Sequence, residues 1–505
     1  MWKININVLR CTVILLLSVL YYTARSQEML GLTTSNYTGV NGVLINPSSL
    51  HNSKVYLDIN IVGAGVFHEN NYLYIDSEEH NFTNFFKKDY TYPTHPPDNG
   101  SGDRPLYTMD NTQDKDSYTQ ARVLGPSAML LVNDHAFAFS TGFRMINMVR
   151  NLPYDMANYF YYGLNYMPQR DHRFTNEQEY TSTTMSWSEF ALTYSLVLKK
   201  YYKNKWTAGV TVKGLMGHGG SYINGYYADY TVPDGETIDI HRLDMDLGYA
   251  IPVDYNTNQF LPGSLIKGKG AGIDLGVTYQ RNKKGHSNIK YRDLCHQKFD
   301  EYDYRIGFSM LDFGSVRFTD NARMYSFVNG IALWENVDSL IRTYENLNEF
   351  SEALSEKFCG DTECALEAEE FKVALPAALS LQFDYNLNKS FYLSATWVQP
   401  LRIGQAYIYR PAVLAFTPRF ESNAFDFMVP VSLYNYRTPR IGAALRFYNF
   451  TVGTEKILGF FNVTDFTGLD LYFSVKLFLF KGNCRKSGKN ERFCSEGPYR
   501  LKKNY

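Results

Sequence analysis

Beyond Tyr22 the chain has no apolar run approaching the roughly 18–20 residues of a membrane-crossing helix, so no helical anchor is expected there. No C-x-x-C pair occurs and no histidine stands at ligand spacing, so no metal site is expected. Asp110, Asp114 and Asp116 lack the spacing and terminal Glu of a calcium loop and read as a solvated acidic loop. There is no G-x-S-x-G elbow and the 10 histidines are scattered. With no clustered Ser/His/Asp set, no catalytic residue, no cofactor and no enzyme activity are expected. A net charge of −1 without a long basic run argues against nucleic acid as a partner.

What is present begins with an export signal. Lys3 and Arg10 precede a short apolar run, Cys11 to Tyr22, and Ala24-Arg25-Ser26 is a small-residue cleavage site. Residues 1–26 therefore read as a signal peptide. Tyr (41) and Phe (34) are abundant, as in the aromatic girdles of membrane barrels. Cys295, Cys359, Cys364, Cys484 and Cys494 remain after cleavage, and an oxidising envelope favours disulfides. Cys359 with Cys364 and Cys484 with Cys494 are the closest pairs in sequence.

The dominant signal is period-2 alternation. In Leu469–Phe480, Leu469, Leu471, Phe473, Val475, Leu477 and Leu479 share one strand face and Asp470, Tyr472, Ser474 and Lys476 the other. Segments of this kind, near the ten residues of a membrane-crossing strand, recur along the chain. They include Val55–Ile61, Phe190–Lys199, Trp206–Lys213, Ala271–Gln280, Tyr304–Met310 and Val373–Trp397, with weaker ones at Ile408–Phe416 and Val429–Tyr434. Asp58, Lys199, Lys213, Asp274, Arg305, Asp384, Arg446 and Lys476 fall on the polar faces and are the candidate lumen-facing charges.

Tight turns at Asn133-Asp134, Lys203–Lys205 and Asn386–Lys389 alternate with long polar stretches at about His68–Gln120 and Asn151–Ser186. That alternation predicts an all-β, antiparallel transmembrane β-barrel of about fourteen strands, with short periplasmic turns and long extracellular loops. Gly220–Gly268 reads as a hairpin projecting beyond the membrane, or as another pair of wall strands. Leu333–Phe358 breaks the pattern. Its apolar residues recur every three to four positions and its polar face is acidic, predicting an extracellular amphipathic helix. Gln27–Ser53, rich in Gly, Asn and Ser, reads as a hatch or plug (residues 27–53). Residues 54–480 read as the barrel and 481–505 as a basic periplasmic tail.

The stretch G-L-T-T-S-N-Y-T-G-V-N-G-V-L-I-N-P-S-S-L before the first strand, and R-I-G-A-A-L-R-F-Y-N-F-T-V-G-T-E at Arg440–Glu455, resemble a Bacteroidota outer-membrane barrel family that carries a domain of unknown function. More distantly, Asn46-Pro47-Ser48-Ser49-Leu50 is similar to the N-P-A-x-L motif of FadL-like fatty-acid transporters and PorV-type secretion barrels. In those an N-terminal hatch plugs a fourteen-stranded barrel. Asn46, Pro47 and Leu50 match; Ser48 departs from the usual Ala. The resemblance implies an outer-membrane protein of a Gram-negative bacterium that passes a small hydrophobic molecule. The alternative is a non-transporting surface or secretion-accessory barrel acting through its loops and acidic helix. Expected partners are outer-membrane lipid, a small hydrophobic ligand and envelope or secreted proteins.

Overall fold

Alternating side chains and repeated reversals close the chain into a ring of strands. A computed structural model describes residues 28–478, apart from 79–86, 88–105, 133, 165, 258–263, 284–300, 336–345 and 389, together with 486–487 and 491–492. Among the described residues fourteen antiparallel wall strands follow one another in sequence order. They are β1 (Leu57–Asn70), β2 (Lys115–Leu124, continued by Ser127–Val132), β3 (His135–Leu152), β4 (Tyr180–Tyr201) and β5 (Asn204–Thr231). Then come β6 (Ile238–Ala250 and Gly268–Asn282), β7 (Tyr302–Phe318 and Ala322–Trp334) and β8 (Leu366–Ala368, Phe371–Ala374 and Ala378–Asn386). The last are β9 (Phe391–Pro400), β10 (Val413–Glu421), β11 (Phe425–Met428 and Val431–Tyr434), β12 (Thr438–Ile441 and Ala443–Phe447), β13 (Phe450–Thr454) and β14 (Gly468–Phe478).

β14 closes the ring on β1. Asp58 lies opposite Phe478, Gly65 opposite Tyr472 and Glu69 opposite Gly468, with one register shift between Asn60 and Val62. Closure removes the edge strands that an open sheet would expose. The face of the wall turned outward is apolar and exposed, as at Val66, Phe137, Leu192, Val277, Phe416 and Leu471. The inward face buries Asp58, Lys213, Asp274, Arg305 and Lys476. Apolar residues facing out and charges facing in are the reverse of a soluble barrel and fit a wall set in lipid.

One end carries short turns, such as Tyr202 between β4 and β5 (φ 52°) and Tyr448 between β12 and β13 (φ 48°). The other, the loop end, carries most of the long connections. Several expected boundaries move. β1 continues to Asn70 and β2 begins at Lys115, so the first long loop is shorter than His68–Gln120. The second holds a helix, α1 (Tyr154–Tyr162), and β4 already starts at Tyr180. Residues 220–250 form a hairpin continuous with the wall: the upper part of β5 and the first part of β6 pair with each other and with Ala322–Trp334 of β7, forming a three-strand extension above the ring. There Tyr230 donates a 2.6 Å hydrogen bond to Asp155 Oδ2 of α1. Burial, with the Asp155 carboxylate, raises the pKa of its hydroxyl.

The amphipathic helix is shorter than its sequence pattern. Leu333 and Trp334 belong to β7, and helix α2 spans Leu347–Cys359. The remaining apolar positions, Val337, Ile341 and Tyr344, lie outside the described residues. Asn346 caps α2 by accepting from Glu349 N at 2.9 Å, and Gly360 ends it at φ 84°. Leu354 packs among Tyr249, Tyr325 and Phe327, while Glu352 and Glu356 face solvent. Cys359 and Cys364 form a disulfide. Cys295, Cys484 and Cys494 lie outside the described residues. Replacing Cys359 by Ser releases a six-residue ring worth about 2 kcal/mol by the chain-entropy relation. The expected result is faster proteolysis at 360–365 with unchanged thermal unfolding of the barrel.

Candidate functional site

Inside the ring, residues 28–53 are buried almost throughout; only Thr34, Leu44, Ser49 and Asn52 are partly exposed. The path can be followed from its local chemistry. Proline fixes the first position of the 3₁₀ turn Pro47–Asn52, and Asn46 is its N-cap, accepting from Ser48 N at 2.9 Å. The Asn46 side-chain amide donates to Gln382 Oε1 of β8 at 2.9 Å. Leu50, fully buried, packs with Tyr37, Val40, Val43 and Val55 against Met129 and Leu131 of β2. Asn46, Pro47 and Leu50 thus cap, start and anchor one turn.

The wall is shaped to receive that turn. Gly209 of β5 and Gly276 of β6 are cross-strand partners. A Cβ at Gly209 would lie 2.6 Å from Pro47 C and Ser48 N, and one at Gly276 would lie within 2.9 Å of Pro47 Cδ. A Cβ at Gly307 of β7 would meet Asn46 Nδ2 at 2.8 Å. Glycine inside a strand commonly marks a close backbone approach, and these three make a seat for Asn46–Ser48. Beside it the Ser48 and Thr278 hydroxyls are 2.6 Å apart, and Ser309 Oγ donates to Ile45 O at 2.5 Å. The seat escaped the sequence reading, although isolated glycines in strand patterns were its signal.

The lumen charges form compensated groups. Lys213 contacts Asp274 at 2.7 Å and Asp312 at 2.6 Å. Arg144 joins Asp312 at 2.9 Å and Glu189 at 2.8 Å. Arg305 and Arg419 share Asp384 at 2.8 and 3.0 Å, and Arg419 also meets Glu421 at 3.0 Å. Glu421 in turn takes the Asn36 backbone N–H at 3.0 Å and its amide at 2.9 Å. Lys476 pairs with Asp58 at 3.0 Å, and Asp58 accepts from Val40 N at 2.7 Å. Arg446 pairs with Asp426 at 2.7 Å, and Asp426 accepts from Ser35 Oγ at 3.0 Å. Burying such charges is tolerable only because each finds a partner. Several of these carboxylates bind the inner segment and the wall at once.

Seven of the eight candidate charges lie in this interior: Asp58, Lys213, Asp274, Arg305, Asp384, Arg446 and Lys476. Lys199 does not. A register shift between Val197 and Lys199 breaks the alternation, and Lys199 is exposed at the turn end of β4.

A second inward segment appears where a strand was expected. Strand β10 starts at Val413, not Ile408, and residues 401–412 fold in from the loop end. Ile408 is fully buried in an apolar layer with Phe67, Ile146, Met148, Trp187 and Phe318. Arg410 reaches Glu28 Oε1 at 2.6 Å, so this segment touches the inner one inside the ring.

The wall thus has fourteen strands, is lined with charges and holds an N-terminal inner segment. The model of a family of unknown function, DUF5723, matches residues 47–455. The chain belongs to DUF5723. That match takes in β1 to β13 of the DUF5723 barrel together with the Pro47–Asn52 turn and its glycine seat. No curated protein matches the chain. Solved structures similar to this DUF5723 protein include a TodX monoaromatic hydrocarbon channel variant, at TM-score 0.41 and 10% identity over 88% of this chain and 95% of that one. The Ralstonia pickettii toluene transporter TbuX gives TM-score 0.36 at 11% identity over 87% and 92%. A Pseudomonas aeruginosa FadL homologue gives 0.36 at 10% over 90% and 98%.

On the outer side of the wall, at the loop end, lies a cavity of about 410 Å³. His68, Ser117, Val149 and Leu469 line it; each is adjacent in its strand to an inward-facing buried residue, Phe67, Tyr118, Met148 and Asp470. Leu73, Tyr74, Ile75, Phe160 and Phe466 give it a mainly apolar lining, with Lys115 and Asp116 as its charged members. Tyr72 ties this roof to α1 by donating to Asn158 Oδ1 at 2.7 Å.

Proposed function

We propose that the protein is an outer-membrane barrel of a Gram-negative bacterium that captures and passes a small hydrophobic molecule, with residues 28–53 as its hatch. The apolar cavity at the loop end carries this reading. Apolar walls under a roof of aromatic rings suit a ligand held by burial, at about 25 cal/mol per Å² of apolar surface removed from water. The loop end is then extracellular and the short turns periplasmic, as in outer-membrane barrels. The molecules carried by TodX and TbuX, monoaromatic hydrocarbons and toluene by their names, belong to the chemical class that would fit. The buried salt bridges between hatch and wall describe a closed state, so passage requires the hatch to shift.

The test is titration of the detergent-solubilised protein with a fluorescent naphthylamine, followed by flux into reconstituted vesicles. Saturable binding that weakens at least tenfold in Phe160→Glu is expected, from one unpaired charge facing an apolar ligand. No binding would overturn the reading; binding without flux would overturn its transport half.

A further inference from the structure

A second cavity, of about 510 Å³, lies over the loop-end rim between β3, residues 409–412 and the turn at 435–437. Its chemistry is opposite to that of the apolar cavity. Thr112, Gln113, Asn151, Gln399 and Asn435 line it, together with Arg150 and Arg437. The turn is built for a tight reversal, with Asn435 at φ 49° and Tyr436 at φ 58°, and the Asn435 side-chain oxygen accepts from Ala412 N at 3.1 Å. Tyr436 donates to Gln399 Oε1 at 2.7 Å. The rim of this cavity is therefore fixed by its own hydrogen bonds.

The cations there differ from the fully buried arginines of the lumen. Elsewhere the buried arginines meet carboxylates. Arg150, Arg402 and Arg437 form no salt bridge among the described residues. Arg150 stands over the Tyr409 ring, its guanidinium carbon 3.8 Å from the centroid, and its Nη1 is buried without a hydrogen-bond acceptor among the described residues. Arg402 stands 6.0 Å from the same ring. The two carboxylates of the lining have neighbours of their own: Asp116 accepts from Asn151 N at 2.9 Å, and Asp114 lies beside the Gln178 side chain and within the field of the Arg437 guanidinium. A buried donor without an acceptor costs its desolvation until something supplies one. Stacking on tyrosine holds the Arg150 fork in one orientation, which suits bidentate recognition of a planar oxyanion.

We propose that this cavity binds a small polar anion, a carboxylate carried on a hydroxylated body such as a sugar acid. The guanidinium groups of Arg150 and Arg437 take the carboxylate. The Thr112 hydroxyl and the Asn435 amide nitrogen, both without a protein partner among the described residues, face the hydroxyl groups. The proposal stands apart from the hydrophobic-ligand reading, because the two linings share Asp116 and are otherwise made of different residues.

Calorimetric titration of the full mature protein in detergent, with glucuronate, glucose and inorganic phosphate as probes, tests it. Saturable glucuronate binding is expected, weakened roughly tenfold or more in Arg150→Gln, the weight of one charge-assisted hydrogen bond. Glucose should bind at least tenfold more weakly than glucuronate, for the same reason. Arg437→Gln, at an exposed position, gives a second variant whose folding is not in question and should weaken binding in the same direction. Absence of glucuronate binding, or binding indifferent to both substitutions, overturns the site. Phosphate binding as tight as glucuronate overturns the sugar-acid assignment.

Discussion

Gly209→Val is expected to unseat the inner segment while leaving the barrel closed as a ring. The substituted Cβ would lie 2.6 Å from Pro47 C and Ser48 N, which are backbone atoms with no flexible end to swing away. Either β5 bows outward or the turn Pro47–Asn52 leaves its seat. β5 is hydrogen-bonded on both flanks, to β4 and β6, over most of its length. The turn is held by side-chain contacts, among them Asn46 to Gln382, Ser48 to Thr278, Lys205 to His51 O and Arg305 to Asn52 O, and by the packing of Leu50, with no backbone ladder to the wall, so it gives first. Overpacking of this kind costs about 1–3 kcal/mol. The expected readout is protease cleavage within 28–53, with the heat-modifiable gel shift of the barrel retained. Gly214→Val is the matched control. It lies on the same strand, but the nearest atom to its added Cβ is Phe190 O at 4.0 Å. If the two variants are cleaved equally slowly, the glycine seat does not hold the segment.

The seat shows what alternation can and cannot say. The closing strand was legible because one period ran through Leu469–Phe478 without a break, and the same was true of Phe190–Ser195 and Ala271–Gln280. Period 2 also identified seven of the lumen charges, since a polar residue between apolar neighbours has only one face to occupy. It failed at Lys199, where a bulge inserts a residue, because a bulge leaves no mark in a pattern of polar and apolar letters. It failed at 401–412 for a different reason. Ala406, Tyr407, Ile408 and Ala412 are apolar as a wall strand is, yet they are buried because they fill the lumen, and the sequence does not distinguish lipid from a packed interior. The extension formed by β5, β6 and β7 was ambiguous for want of any membrane boundary in the pattern. Gly209, Gly276 and Gly307 were visible one by one, but their adjacency depends on the register between strands.

Arg410→Met is expected to loosen both inward segments together. Arg410 joins residues 401–412 to Glu28 at 2.6 Å, and its other carboxylate neighbour, Asp312, is 3.7 Å away. Asp312 keeps Arg144 and Lys213, so its charge stays compensated when Arg410 is lost. Glu28, buried at 5% exposure, loses the guanidinium in front of it. Removing one partner of a buried pair costs about 3–5 kcal/mol, most of it the cost of the charge left behind. Hydrogen–deuterium exchange should therefore rise at 29–45 as well as at 401–412, although the substitution lies in only one of them. Glu28→Gln removes the buried charge that Arg410 had faced, so Glu28→Gln with Arg410→Met should be protected better than Arg410→Met alone. A coupling of about 0.5–3 kcal/mol between the two sites is the expected result of the cycle. Additivity within about 0.5 kcal/mol would mean that the segments respond independently. Under the proposed passage of a hydrophobic molecule, the distinction sets how the barrel would open. Coupled segments make one gate, in which an event at the loop end, such as ligand arrival near residues 401–412, lowers the cost of moving residues 28–53. Independent segments make two gates in series, each of which must open by itself.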